Sequence, residues 1–209
     1  MKKTTFIKIC GITNQEDTKL AVESGATAVG FIFAPSKRQV TPAQVKKITA
    51  TLPSRIEKIG VFINEQREMI LQIAEMAGLS CIQLHGNESQ AMCDELGKYF
   101  KIIKTVKIDP WGKIKSKNDY CAWKILLDTY VPNLEGGSGT RFNWGILRQF
   151  DLDNIIVAGG LNHENIGLLL SRYQPFGIDV CSGVEGYPGK KDAEKLNRFF
   201  KQISSNVEY

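Results

Sequence analysis

Eight apolar, β-rich runs recur along this chain at intervals of 21 to 29 residues, beginning near Thr5, Ala28, Glu57, Ser80, Lys101, Lys124, Asp153 and Phe176. Between most of them lies a stretch with helical spacing. Residues 15–24 follow Thr13 and Asn14, which are good helix caps. Residues 42–51 open on a proline and place Val45 and Ile48 on one face. Residues 65–77 space Met69, Ile70, Ile73, Ala74 and Ala77 helically and stop at Gly78. Residues 88–97, 162–172 and 190–203 read the same way, whereas residues 110–119 are polar and so weakly periodic that a helix there is short or absent. Strands alternating with helices imply a parallel sheet. Eight such units in 209 residues predict closure into an α/β fold of the (β/α)₈ barrel (TIM barrel) type, near the short end of its length range. The alternative, an open doubly wound sheet, normally carries a glycine fingerprint at its first strand–helix turn, and Gly11 stands alone there. No linker or low-complexity tract interrupts the pattern, so residues 1–209 read as one catalytic domain.

Composition narrows the function classes. The five cysteines, Cys10, Cys81, Cys93, Cys121 and Cys181, are odd in number and form no C-x-x-C pair. They suggest neither a disulfide framework nor a zinc site, and fit a reducing cytoplasm. The basic N-terminus leads into an apolar run that is short and broken by Lys8, so no signal peptide is expected. No stretch approaches the roughly 18 apolar residues of a membrane span. Two histidines are too few for a rich metal site. Net charge is +5, and much of the excess lies in Lys101, Lys104, Lys107, Lys113, Lys115, Lys117 and Lys124. The segment lacks interleaved aromatics and arginines suited to stacking on bases, which argues against nucleic acid. A solvated face is the plain reading; mild attraction of an anionic small molecule is the alternative.

In a barrel the C-terminal strand ends build the active site. Strand one ends at Cys10, and Lys8, two residues earlier, shares its face. A cation beside a thiol favours the thiolate, although a free cysteine is commonly just a small buried apolar residue. Strand four ends at His85, open to a packed or a catalytic role, while His163 reads as surface. Strand six ends at Asp128, where partial desolvation suits a general acid and a structural hydrogen bond is equally consistent. Arg38, on the loop after strand two, is either solvated or a fork for a carboxylate or phosphate. Gly159 and Gly160 follow strand seven, and Ser182 and Gly183 follow strand eight, the two loops that commonly hold phosphate in barrels. The glycine-rich run at 136–140 lacks the lysine and spacing of a nucleotide loop. Trp111, Trp123 and Trp144 read as packing residues.

The runs Lys8-Ile9-Cys10-Gly11-Ile12-Thr13, Ser36-Lys37-Arg38, Gly60-Val61-Phe62, Gln83-Leu84-His85-Gly86, Leu127-Asp128-Thr129, Gly136-Gly137-Ser138-Gly139, Gly159-Gly160-Leu161 and Asp179-Val180-Cys181-Ser182-Gly183-Val184-Glu185 occur in an order that resembles the phosphoribosylanthranilate isomerase family of tryptophan biosynthesis. The resemblance implies an Amadori rearrangement of N-(5-phospho-β-D-ribosyl)anthranilate to 1-(2-carboxyphenylamino)-1-deoxy-D-ribulose 5-phosphate, with no cofactor or metal, by a monomer or homodimer. It implies that Cys10 is the general base and Asp128 the general acid. Arg38 would meet the anthranilate carboxylate and Asp179 the anthranilate amine. Gly159, Gly160, Ser182 and Gly183 would hold the phosphate, and His85 counts among the substrate-binding residues. Two positions depart from the pattern: Cys181 stands where serine is common, and Asn143 replaces a frequent aspartate while keeping the ability to cap a helix at Trp144. Other readings are a phosphosugar epimerase, an aldolase-like lyase using Lys8, or a barrel that binds a phosphosugar without catalysis.

Overall fold

The computed structural model describes residues 6–115, 120–130 and 141–206. The glycine-rich run at 136–140 and Lys117 lie outside them. Eight parallel strands bond in sequence order: β1 (Phe6–Ile9), β2 (Ala28–Ile32), β3 (Glu57–Phe62), β4 (Cys81–Leu84), β5 (Lys101–Ile108), β6 (Lys124–Thr129), β7 (Ile155–Val157) and β8 (Gly177–Val180). Strand β8 pairs with β1 from Phe6↔Gly177 to Ile9↔Val180, so the sheet closes and the open doubly wound alternative is excluded.

The period-two alternation of strand side chains divides the core in two. Inward-pointing Phe6, Ala28, Ile59, Cys81, Ile103, Leu126 and Ile156 fill the lower barrel, with Ala158 just beyond β7. Below them Phe6 stacks on Phe176 at 5.4 Å and meets Trp123 edge-on at 5.9 Å, which seals the floor. Outward-pointing residues such as Ile7, Ile9, Val29, Phe31 and Ile82 pack against the helices. One pleat above the apolar filling, the inward positions turn polar: Lys8, Gln83, Thr105, Asp128 and Asp179. That change of composition along each strand separates a packed floor from a reactive rim.

The surrounding helices are α1 (Gln15–Ser24), α2 (Pro42–Thr49), α3 (Arg67–Ala77), α4 (Gln90–Leu96), α5 (Ile166–Arg172) and α6 (Ala193–Asn206). Asn14 caps α1 by accepting from the Asp17 N–H, and Thr41 caps α2 in a reciprocal box with Gln44. No helix follows β5 among the described residues; residues 110–115 turn back to form an antiparallel bridge, Ile108↔Ile114. After β6 comes a 3₁₀ helix, Trp144–Gln149, capped by Asn143 as its sequence suggests.

Several expectations need correction. Helix α5 starts at Ile166 rather than near Asn162, because the Asn162 and Asn165 side chains bind backbone groups in the preceding turn. The stretch from Lys190 does not begin a helix; β10 (Lys190–Lys191) pairs with β9 (Glu185–Tyr187) in a hairpin before α6. Lys104 is not part of a solvated face: it is buried, donating to Glu88 Oε2 at 2.9 Å and to the Gly86 carbonyl at 2.8 Å. Trp111 is not a packing residue, being 83% exposed. Among the described residues no helix is long and apolar enough to cross a membrane.

Candidate active site

A pocket opens at the C-terminal end of the barrel. Cys10, Arg38, His85, Asp128, Gly159, Gly160, Asp179, Ser182 and Gly183, the candidates drawn from sequence, all line it. His163 is half-buried in the turn before α5 and does not line it. Among the described residues, no group of three or more His, Cys, Asp or Glu is placed to hold a metal ion.

Closure of the barrel makes the first charged pair. Lys8 and Asp179 are register partners on β1 and β8, and Lys8 Nζ donates to Asp179 Oδ2 at 2.9 Å. Both side chains are buried. Burial opposes the Lys8 charge, but the Asp179 carboxylate and the Cys10 sulfur outweigh it and hold the ammonium above the ordinary lysine range. Burial pushes Asp179 up to about 7 against the pull of Lys8, with the charge of Cys10 adding to the rise. The second oxygen, Asp179 Oδ1, is buried with no hydrogen-bond partner among the described residues. A buried acceptor of that kind costs free energy until a donor arrives.

Cys10 lies one residue beyond Ile9, with its N–H bonded to the Val180 carbonyl at 2.9 Å. The Cys181 thiol lies beside it and donates to Glu185 Oε1 at 3.8 Å. With the Lys8 and Lys191 ammoniums it outweighs burial and holds the Cys10 pKa well below the usual thiol range. Cys10 therefore faces the pocket in surroundings that favour its thiolate form. Removing the Lys8 charge takes away part of that support. In Lys8→Met the pH at which Cys10 becomes alkylated by iodoacetamide, followed on the peptide that carries it, is expected to move upward. An unchanged profile would remove Lys8 as a contributor.

Asp128 projects from β6 on another side of the pocket, with Oδ1 accepting from the Thr129 N–H at 2.8 Å and Oδ2 lying 3.4 Å from His85 Nε2. The other ring nitrogen, His85 Nδ1, lies 3.0 Å from Gln83 Nε2 and 3.1 Å from Thr105 Oγ1. With the Gln83 amide donating, Nδ1 accepts and Nε2 carries the proton toward Asp128. Gln83 was visible only as part of a motif; its position two residues before His85 on a strand places both on the same inward face.

Arg38 reaches over the pocket from the β2–α2 loop. Its Nε lies 2.9 Å from Glu185 Oε1, and its Nη2 lies 2.7 Å from Glu185 Oε2. Lys191 Nζ donates to the same carboxylate at 3.0 Å. Burial alone would raise the Glu185 pKa, but Arg38 and Lys191 reverse it and keep the carboxyl below its usual range. Engagement of one edge of the guanidinium leaves Nη1 and one Nη2 hydrogen to face a second anion. Glu185 and Lys191 escaped sequence reading because the hairpin that delivers them was read as the approach to a helix.

The two glycine loops touch. A Cβ on Gly183 would lie 1.9 Å from the Leu161 carbonyl oxygen, and one on Gly159 would lie 2.2 Å from Thr129 Oγ1. Gly159 and Gly160 also take positive φ angles of 81° and 63°. Only glycine lets these backbones pack so closely at the rim, and the Asn165 amide pins the turn by donating to the Gly160 carbonyl at 2.8 Å.

Comparison with known proteins agrees with this geometry. Residues 7–202 match the family model described as N-(5'-phosphoribosyl)anthranilate (PRA) isomerase. An N-(5'-phosphoribosyl)anthranilate isomerase of Thermotoga neapolitana is 43% identical over 199 residues, spanning 94% of this chain and 97% of that protein. A structure of monomers of the dimeric phosphoribosylanthranilate isomerase from Thermotoga maritima superposes with a TM-score of 0.80 at 35% identity, covering 95% of this chain and 98% of the other. A phosphoribosylanthranilate isomerase in complex with reduced 1-(o-carboxyphenylamino)-1-deoxyribulose 5-phosphate superposes with a TM-score of 0.79, also at 35% identity and the same coverages.

Proposed function

The chain belongs to the N-(5'-phosphoribosyl)anthranilate isomerase family, and on that premise we propose that Cys10 and Asp128 perform its proton transfers. The reaction is the Amadori rearrangement of N-(5-phospho-β-D-ribosyl)anthranilate in tryptophan biosynthesis, an aldose–ketose isomerisation. The observation that carries the assignment is that a thiol whose thiolate form is favoured and a carboxyl group 3.4 Å from a histidine open into one pocket.

In the proposed sequence, Asp128 gives a proton to the furanose ring oxygen. The C1–O bond breaks and the anthranilate nitrogen forms a Schiff base with C1. The iminium acidifies the C2 hydrogen, and the Cys10 thiolate removes it. The resulting enolamine takes a proton at C1 while its C2 hydroxyl gives one up, and becomes the ketone. The base works where Lys8 and Cys181 offset its negative charge, and the acid sits apart from it, so the two do not neutralise each other directly.

The rest of the rim holds the substrate. Gly159, Gly160, Ser182 and Gly183 offer backbone N–H groups to the phosphate, in the loops that commonly bind it in barrels. Asp179 Oδ1 accepts from the anthranilate amine, which supplies the partner that this buried oxygen lacks. The remaining edge of Arg38 takes the anthranilate carboxylate. Arg38→Ala is accordingly expected to raise KM by about tenfold or more with kcat little changed, in steady-state assays. An unchanged KM would remove Arg38 from the site.

We read residues 1–209 as one catalytic domain acting in the cytoplasm on a small phosphorylated substrate, with no membrane or nucleic-acid partner, as a monomer or homodimer. The decisive experiment is turnover of phosphoribosylanthranilate by purified protein, followed by the loss of anthranilate fluorescence. Binding of a product analogue without turnover would overturn the catalytic reading and leave a phosphosugar-binding barrel.

A further inference from the structure

We infer that Cys10 and Cys181 form a reversible disulfide when the pocket meets a peroxide, so that the site carries its own oxidative off-switch. The argument begins with register. Ile9 pairs with Val180, and Cys10 and Cys181 are the next residues on their strands. Because the Cys10 N–H still bonds the Val180 carbonyl at 2.9 Å, the two backbones have not yet separated there. Neighbouring strands lie about 4.8 Å apart, within the roughly 4.4–6.8 Å between Cα atoms that a disulfide accepts.

The register places both side chains on the same inward face. A Cβ on Gly11 would lie 2.8 Å from Cys181 Sγ. Cys181 therefore sits over the bare backbone of the residue that follows Cys10. Both side chains line the pocket, so a small oxidant reaches them by the substrate's route.

The two thiols differ in the way such chemistry requires. Cys10 is held below the usual thiol range and Cys181 above it, which makes Cys10 the better nucleophile of the two. Cys81 and Cys93 are buried thiols pushed up to about 12 and about 11, so neither competes for the oxidant. The Cys10 sulfur attacks one oxygen of hydrogen peroxide. The O–O bond breaks, an S–O bond forms, and hydroxide leaves. Cys181 then loses its proton and attacks the Cys10 sulfur; the S–O bond breaks, the S–S bond forms, and a second hydroxide leaves. Across the two steps the two hydroxides leave as water, and two thiols have given two electrons to one peroxide. A dithiol reverses the reaction. The disulfide consumes the proposed base, so turnover stops while it persists, and it protects Cys10 from irreversible oxidation to the sulfinate.

The effect on turnover rests on Cys10 being the base, whereas the bond itself is read by mass. The full chain is treated with hydrogen peroxide, then alkylated and digested with trypsin. Activity is expected to fall by about tenfold or more and to return with dithiothreitol. The intact mass should drop by about 2 Da, with residues 9–19 and 173–190 linked. In Cys181→Ser the same treatment should leave Cys10 about 32 Da heavier, and dithiothreitol should not reverse it. The proposal is overturned if the wild-type chain also accumulates the heavier Cys10, if the linked peptides contain Cys121 instead, or if neither peptide changes. Linkage in a preparation that had no turnover beforehand would uphold the disulfide and count against the proposed function.

Discussion

Cys10→Ser is expected to lower kcat by about 10²-fold or more and to leave KM nearly unchanged. The hydroxyl is close in shape to the thiol and leaves the β1–β8 pairing intact, so the barrel has no reason to unfold. What it loses is ionisation. The neighbouring Cys181 thiol and the charges of Lys8 and Lys191 favour the thiolate of a cysteine, but they fall far short of what a serine alkoxide would need at neutral pH. With C2–H cleavage slowed, that step should limit turnover, and substrate deuterated at C2 should show a larger isotope effect than with wild-type enzyme. Steady-state fluorescence assays with both substrates measure this. Near-normal kcat in the variant would end the assignment of Cys10 as base.

Parts of this site could be read from the chain because barrel geometry converts sequence position into location. A period of two places Lys8 and Cys10 on one face, and the rule of C-terminal ends places Cys10, His85, Asp128 and Asp179 at one rim. The glycines of the last two loops follow by the same rule. The partners that position these groups come from elsewhere in the chain. Lys8 meets Asp179, 171 residues away, only because β8 closes on β1. Arg38 meets Glu185 across 147 residues, through a hairpin whose Lys190-Lys191 strand looks like a helix entrance when read by composition. Lys104 shows the reverse failure. Counted among exposed lysines, it turns under the β4–α4 connection and satisfies two carbonyl oxygens and Glu88. Charge in a sequence window says little about burial when a carboxylate and free carbonyls can be brought to meet it.

Asp128→Asn should lower kcat by about 10²- to 10⁴-fold, the range for loss of a positioned general acid. Asparagine keeps the size of the side chain, and its amide oxygen can still accept from the Thr129 N–H; its NH2 then faces His85 Nε2, which can accept once the ring proton moves to Nδ1, so the pocket wall should hold. It cannot deliver a proton to the furanose oxygen, which makes ring opening the slow step. Ring opening breaks no bond to hydrogen at C2. The C2 deuterium isotope effect should therefore shrink toward unity in Asp128→Asn, opposite to its growth in Cys10→Ser. The pair of variants tests the order of events as well as the identities: acid first, base second. If Asp128→Asn instead showed the enlarged isotope effect, Asp128 would be acting at C2, and Cys10 would have to be reassigned. If its kcat stayed near the wild-type value, the ring-opening proton would have to come from another group at the rim, and His85, 3.4 Å from Asp128, would be the first to examine.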